Sequence, residues 1–394
     1  MKYTLNNSGC IINGKFVIDD QIKYDGCLYY SDGKIEGISQ NPPKNYPIIN
    51  AEGGYVLPGF IDIHLHGGGG YDFMDANAEA FTEISRVHCM HGTTSIAPTT
   101  TACTIDKLFE IFEVYRQTAG SCDYADFLGL HLEGPFISPE MRGAQNINCI
   151  CNPTKSIIES IAKKGGDIIV RLSGAPELAF MFETAQMLMP YGIAMSIAHS
   201  NATFEQIAEA YKHGYHNITH LYCSTPSVRK INQRVHAGII EACYFIDNMS
   251  CELIGDGRHI PPELLKTVHK IKGADKIALV SDAMRAAGTD CTESFLGEKK
   301  PENRVIIEDG VAKLPDRSSF SGSITTSDFI FKNAVLNANL PITDVSRMMS
   351  LTPAKIINKD KQKGSLTPGK DADIIITDTQ FNIKNVFVRG NRKR

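Results

Sequence analysis

Six side chains of the kind that bind divalent ions fall at comparable places along this 394-residue chain, each at or near the end of a short apolar run. His64 and His66 close the run within PGFIDIHLHGGGG (58–70), Glu133 closes FLGLHLEG (127–134) and His199 closes GIAMSIAHS (192–200). His220 lies in HNITHLYCS (216–224) and Asp282 in DKIALVSDAM (275–284). Singly, each has an ordinary explanation: a histidine at a strand end is most often a hydrogen-bonded structural residue, and an aspartate there commonly caps the next helix. Gathered around one cavity, neutral imidazole nitrogens and anionic oxygens are instead the ligand set that Zn2+ or Fe2+ takes. The spacing His64-x-His66 puts both rings on one face of a strand, because strand side chains alternate every second residue. Beside a metal-bound water, Asp282 would serve as general base, taking a proton and later passing it to a leaving group.

Such a gathering needs a scaffold that brings strand ends together. Eight apolar runs recur at 56–66, 93–100, 127–134, 167–177, 192–200, 216–224, 249–257 and 275–284, each followed by turn-forming residues and most by a helix-like segment. TIDKLFEIFEVYRQ opens with Thr104 as a helix cap; ATFEQIAEAYKHG opens at Thr203 and stops at Gly214. Eight strands alternating with helices predict an α/β fold of the (β/α)8 TIM-barrel type, whose active site lies at the C-terminal strand ends; an open doubly wound sheet is the alternative. The chain ends read differently. Residues 1–55 and 364–394 carry short alternating strands broken by turns, which predicts a small β-sandwich domain built from both termini beside a barrel over 56–363. RVIIEDGVAKL (304–314) reads as a hairpin turning at Asp309–Gly310, an insertion on the catalytic side that would shape a lid.

Composition narrows the function classes. Hydrophobic residues make up 42% of the chain and charged residues 21%, which is globular usage. The formal net charge is -4 and the only basic run is NRKR at 391–394, so no nucleic-acid footprint is expected. No signal peptide or membrane span is expected either, which predicts a cytoplasmic protein without membrane contact. The 11 cysteines are dispersed, odd in number and never spaced as CxxC, as reduced thiols would be.

In order along the chain, PGFIDIHLHG, GLHLEGPF (129–136), AHSNAT (198–203), THLY (219–222), GDGRH (255–259), LVSDA (279–283) and FSGS (320–323) resemble the N-acetylglucosamine-6-phosphate deacetylase family of the amidohydrolase superfamily. The resemblance spans nearly the whole chain. It implies a metal-dependent deacetylase that turns N-acetyl-D-glucosamine 6-phosphate into D-glucosamine 6-phosphate and acetate. Glu133, His199 and His220 would bind the main divalent ion, with Asp282 as catalytic acid and base. His64 and His66 would bind a second ion, with Glu133 or Asp282 shared, so one or two ions of Zn2+ or Fe2+ are expected per chain. The resemblance also implies that Ala144, Gln145, Cys223, Ser224, His259, Phe320, Ser321 and Gly322 touch the phosphorylated substrate. Cys223–Thr225 and the stretch 228–238 depart from the family pattern; Arg234 is preferred over Arg229 as the phosphate-binding arginine, on a loop expected to reach a homodimer partner. The departures keep open a deacetylase of N-acetylgalactosamine 6-phosphate or another N-acyl amino sugar; a non-catalytic barrel homologue is the other alternative, against which stands the presence of Glu133, His199, His220 and Asp282 together.

Overall fold

The structure, a computed structural model, describes residues 7–42 and 44–394; residues 1–6 and 43 of the expected amino-terminal β-domain lie outside the described residues. All eight apolar runs contribute a parallel barrel strand: β1 (Phe60–Leu65), β2 (Thr93–Thr100), β3 (Leu130–Glu133), β4 (Ile169–Gly174), β5 (Ala194–Ile197), β6 (Tyr215–Ile218), β7 (Ser250–Ile254) and β8 (Ile277–Val280). Neighbours pair in sequence order from β1 through β8. A parallel bridge from Leu65 to Ala283 brings the last strand back to the first. Apolar side chains of the outward faces, among them Ile96, Leu132, Leu172, Ile197, Ile218 and Leu253, join one buried core with the surrounding helices. The inward face is polar: His131, Arg171, Ser173, Ser196, Thr219 and Glu252 are buried there and hydrogen-bond to one another or to residues of adjacent strands.

Local chemistry accounts for the boundaries. Thr104 caps Ile105–Thr118 through the Lys107 amide, and Thr203 forms a reciprocal capping box with Gln206 at the start of Phe204–Lys212. The first run differs from its reading as one strand. Tyr55–Pro58 pairs antiparallel with Ile374–Thr377 in the terminal domain, and the barrel strand begins only at Phe60. Gly59 makes the transfer possible, since a Cβ there would lie 2.1 Å from Thr94 Oγ1.

The terminal domain consists of two sheets around a shared core that includes Phe16, Leu28, Tyr30, Val56, Ile374 and Phe387. It meets the barrel through an ionic clasp. Lys363, 4% exposed, places its ammonium 2.5 Å from Asp126, 2.9 Å from Asp371 and 2.8 Å from Asp373. The predicted hairpin forms between Arg304–Glu308 and Val311–Lys313, with φ of 54° at Asp309 and 76° at Gly310, the two positive values a tight two-residue turn needs. Glu293–Phe295 adds a third strand to it.

Candidate active site

The strand ends converge on Glu133. Its Oε1 lies 2.9 Å from His220 Nε2, 3.2 Å from His199 Nε2 and 3.5 Å from His64 Nε2, while its Oε2 lies 3.3 Å from His66 Nε2. Asp282 Oδ1 completes the group, 3.5 Å from His64 Nε2 and 3.2 Å from His66 Nε2. All six residues are buried. His199, His220 and Asp282 sit in the left-handed backbone region, with φ of 45°, 30° and 47°, where the chain turns sharply off its strand. Asp282 caps no helix, because the residues after it form turns; its ordinary explanation is removed.

The outer nitrogens decide what the inner ones can do. Nδ1 of His199 meets the Met141 carbonyl at 2.8 Å, Nδ1 of His220 meets the Cys223 carbonyl at 3.1 Å and Nδ1 of His66 meets the Thr99 carbonyl at 3.3 Å. A carbonyl only accepts, so Nδ1 carries the proton in each ring. Each Nε2 then faces carboxylate oxygen lone pairs and requires a proton or a metal ion between them. Burial opposes charge on His64 and His66, yet the carboxylates of Glu133 and Asp282 raise the pKa of both, well above the ordinary value for His64 and up to about 10 for His66. Burial alone would raise Glu133 and Asp282; the histidines, His64 foremost, hold Glu133 well below the carboxylate range and also lower Asp282. The Nε2 of His64 is buried without a hydrogen-bond partner. This donor set fits divalent ions: His64, Glu133 and His220 bring ligand atoms within 4.8 Å of one another, and so do His64, His66 and Asp282.

A cavity of about 320 Å³ opens over these groups. Ala144, Gln145, Cys223, Ser224, His259, Phe320, Ser321 and Gly322 line it, alongside five of the six central residues, His66, Glu133, His199, His220 and Asp282. Gln145 reaches inward, its amide donating to Glu133 Oε2 at 2.8 Å while its oxygen accepts the Ala102 amide at 2.8 Å. Phe320 packs edge-on against His259, ring centroids 4.8 Å apart. Arg234 does not line the cavity of its own chain: it is exposed on the hairpin of Arg229–Ile231 with Arg234–His236. Arg229 is tied to the side chain and carbonyl of Asn201.

Several residues of the site are absent from the sequence reading. Tyr222, Ile254, Leu296 and Ser319 line the cavity, Leu296 directly after the strand Glu293–Phe295 and Ser319 beyond Val311–Lys313. Asp256 holds His259, accepting from its Nδ1 at 2.7 Å and from its backbone amide at 2.9 Å. Beneath the six central residues lie His131, Arg171 and Glu252, fully buried. Burial, with the Arg171 charge adding to it, drives the His131 pKa far down, so this ring is neutral and structural. The GDG stretch was a signal for Asp256, but an arginine or glutamate inside an apolar strand gives no periodic signal.

Residues 55–393 match the model of the amidohydrolase family. The chain is similar to the N-acetylglucosamine-6-phosphate deacetylase of Lysinibacillus sphaericus, 34% identical with 92% of each chain covered. It is also similar to the N-acetylgalactosamine-6-phosphate deacetylase of Shewanella sp. (strain ANA-3), 27% identical with 91% of this chain and 89% of the relative covered. Among solved structures, N-acetylglucosamine-6-phosphate deacetylase from Pasteurella multocida superposes with a TM-score of 0.90 at 27% identity, covering 98% of this chain and 99% of that one.

Proposed function

This chain belongs to the amidohydrolase family, in the company of the N-acetylglucosamine-6-phosphate deacetylases, and from that premise we propose that it hydrolyses the N-acetyl group of N-acetyl-D-glucosamine 6-phosphate to D-glucosamine 6-phosphate and acetate. One observation carries the reading: Glu133 and Asp282 face each other across four imidazoles at the floor of a cavity of a size suited to one phosphorylated monosaccharide. Glu133, His199 and His220 hold the main ion, and His64 and His66 hold a second, with Zn2+ or Fe2+ as the ions this donor set suits. A divalent ion in this place supplies Lewis acidity toward the acetyl carbonyl and lowers the pKa of water toward about 7.

The chain's own groups do the rest. Asp282 accepts the proton of the attacking water at its carboxylate and returns it to the amide nitrogen as the C–N bond breaks. Gln145 fixes Glu133 from the side, keeping that carboxylate turned to the centre. His259, oriented by Asp256 and flanked by Phe320, faces the sugar together with Ser321 and Gly322. In this reading residues 56–363 carry the chemistry and the small β-domain of 1–55 and 364–394 supports it.

The hairpin bearing Arg234 supports a homodimer. It leaves Val228 at 55% and Val235 at 66% exposed, an apolar edge suited to a neighbouring chain whose site Arg234 would complete with a phosphate contact. The protein works in the cytoplasm, where phosphorylated sugars are found.

A galactose-configured substrate is the second reading, favoured by Cys223 and Ser224 at the cavity wall, where the chain departs from the family pattern, and by the Shewanella relative. Measuring acetate release from both epimeric sugar phosphates by the metal-loaded protein tests the two together. We expect turnover on the glucose-configured compound; activity confined to the galactose epimer gives the second reading its place, and none on either removes the proposed function.

A further inference from the structure

Four rings face the central carboxylates, and three of them are aimed by the main chain, through the carbonyls of Thr99, Met141 and Cys223. His64 alone is aimed by a side chain. Its Nδ1 donates to Oε2 of Glu252 at 3.0 Å. Glu252 lies on β7 and is fully buried; its other oxygen is gripped by Arg171 Nη1. Arg171 is equally buried, with Nε donating to Ser196 Oγ at 2.8 Å and Nη2 to Thr219 Oγ1 at 2.7 Å. The same Glu252 Oε2 accepts the backbone amide of His220 at 3.3 Å.

The arrangement exceeds what a packed barrel floor requires. A buried ion pair usually gives no more stability than apolar side chains of the same volume, so its retention in an otherwise closed interior points to a task for one partner. That partner is Glu252. An acceptor-only carboxylate on Nδ1 keeps the ring proton there, leaves the lone pair on Nε2 and makes that nitrogen a stronger donor. The Nε2 so defined is the buried atom without a partner, 3.5 Å from both Glu133 and Asp282. Arg171 balances the charge of Glu252 and fixes it in place without reaching the reacting groups.

We infer that Glu252, held by Arg171, is a positioning residue that sets occupancy of the second ion site by fixing His64 with Nε2 turned toward His66 and Asp282. The inference rests on the two-ion reading above and deepens it. In Glu252→Gln the amide both donates and accepts, so it no longer enforces the tautomer of His64, and Arg171 loses its counter-charge. In Arg171→Met/Glu252→Leu both charges leave together, which avoids an unpaired buried guanidinium.

The test loads the full-length protein with Mn2+ alone and reads ions per chain by elemental analysis, affinity by chelator competition and ion–ion coupling by electron paramagnetic resonance. Wild type is expected to hold two ions with a coupled spectrum. Both variants are expected to keep one ion at wild-type affinity, to bind the other roughly 10- to 100-fold more weakly and to lose the coupling. A folded double variant that retains two coupled ions at wild-type affinity overturns the inference, as does equal weakening of both ions, which a merely structural role would produce. A wild type that takes a single ion at full loading overturns it together with the second site. Failure of the functional reading looks different: two-ion wild type that releases no acetate removes the deacetylase and leaves the role of Glu252 standing.

Discussion

Before the third barrel strand, Asp126 joins Asp371 and Asp373 around the ammonium of Lys363; at the end of that strand, Glu133 joins Asp282 among four imidazoles. Both groups bring at least three ligand atoms within 4.8 Å of one another, and by that measure either could hold an ion. They differ in what already fills the centre. The clasp contains a cation tethered to the chain, whose pKa burial would lower but the three aspartates raise. Around Glu133 and Asp282, among the described residues, no lysine or arginine forms an ion pair, and the compensation comes from rings that titrate or ligate. Counting acidic residues therefore does not find a metal centre; asking which cluster lacks a built-in cation does.

Substitution at each pole should separate the two. Asp282→Asn is expected to lower kcat/KM by roughly 10²- to 10⁴-fold while the main ion is retained and the melting temperature stays near wild type. Unchanged hydrolysis in that variant would defeat the assigned role. Lys363→Met should do the reverse, costing about 3–5 kcal/mol in denaturant unfolding because buried Asp373 loses its cation while Asp126 keeps only Arg389 and Asp371 only Lys34, with activity per folded chain unchanged.

A third buried titratable group sharpens the contrast. His88, on helix Ala78–Met90, has among the described residues only the Gly67 carbonyl, at 2.9 Å, as a hydrogen-bond partner of its ring, and burial pushes its pKa down to about 4. The unfolded chain takes up that proton near pH 6.5 and the folded chain only near pH 4. This contribution is thus complete above about pH 6.5 and is lost as pH falls toward 4, by about 3 kcal/mol at most. Unfolding free energies at pH 7 and 4.5 should differ less in His88→Gln than in wild type; equal slopes would sink the assignment. The smallest effect belongs to the rim of the clasp. Lys34, its side chain 48% exposed, pairs with Asp371 at 2.5 Å, and Lys34→Ala should change stability by no more than about 1 kcal/mol.

The eight strands were legible because each is an apolar run bounded by turn residues, and the six central residues because each falls where such a run stops. The split of 56–66 into two strands was not, since Tyr55–Pro58 and Phe60–Leu65 are equally apolar and only the contact of Gly59 with Thr94 shows where the chain changes sheets. Arg171 and Glu252 escaped for a related reason: they lie 81 positions apart, and a polar residue inside a buried strand has meaning only once its partner is known. Arg234 shows the limit of register, because an irregular segment has no periodicity to fix which of two arginines points where. The helix caps at Thr104 and Thr203 and the turn at Asp309–Gly310 were readable because their chemistry is local.

The left-handed turns at His199, His220 and Asp282 also bear on how this site can change over generations. Backbone of this kind costs an L-residue roughly 1–3 kcal/mol, least for asparagine, aspartate and histidine and most for β-branched side chains. The main chain therefore filters substitutions before chemistry does. A library randomised at these three positions should yield folded protein mainly with asparagine, aspartate, histidine or glycine, and valine or isoleucine should be depleted even when only folding is selected. An evolving lineage can thus exchange nitrogen and oxygen ligands here, or lose a ligand to glycine, more readily than it can fill the site with hydrocarbon.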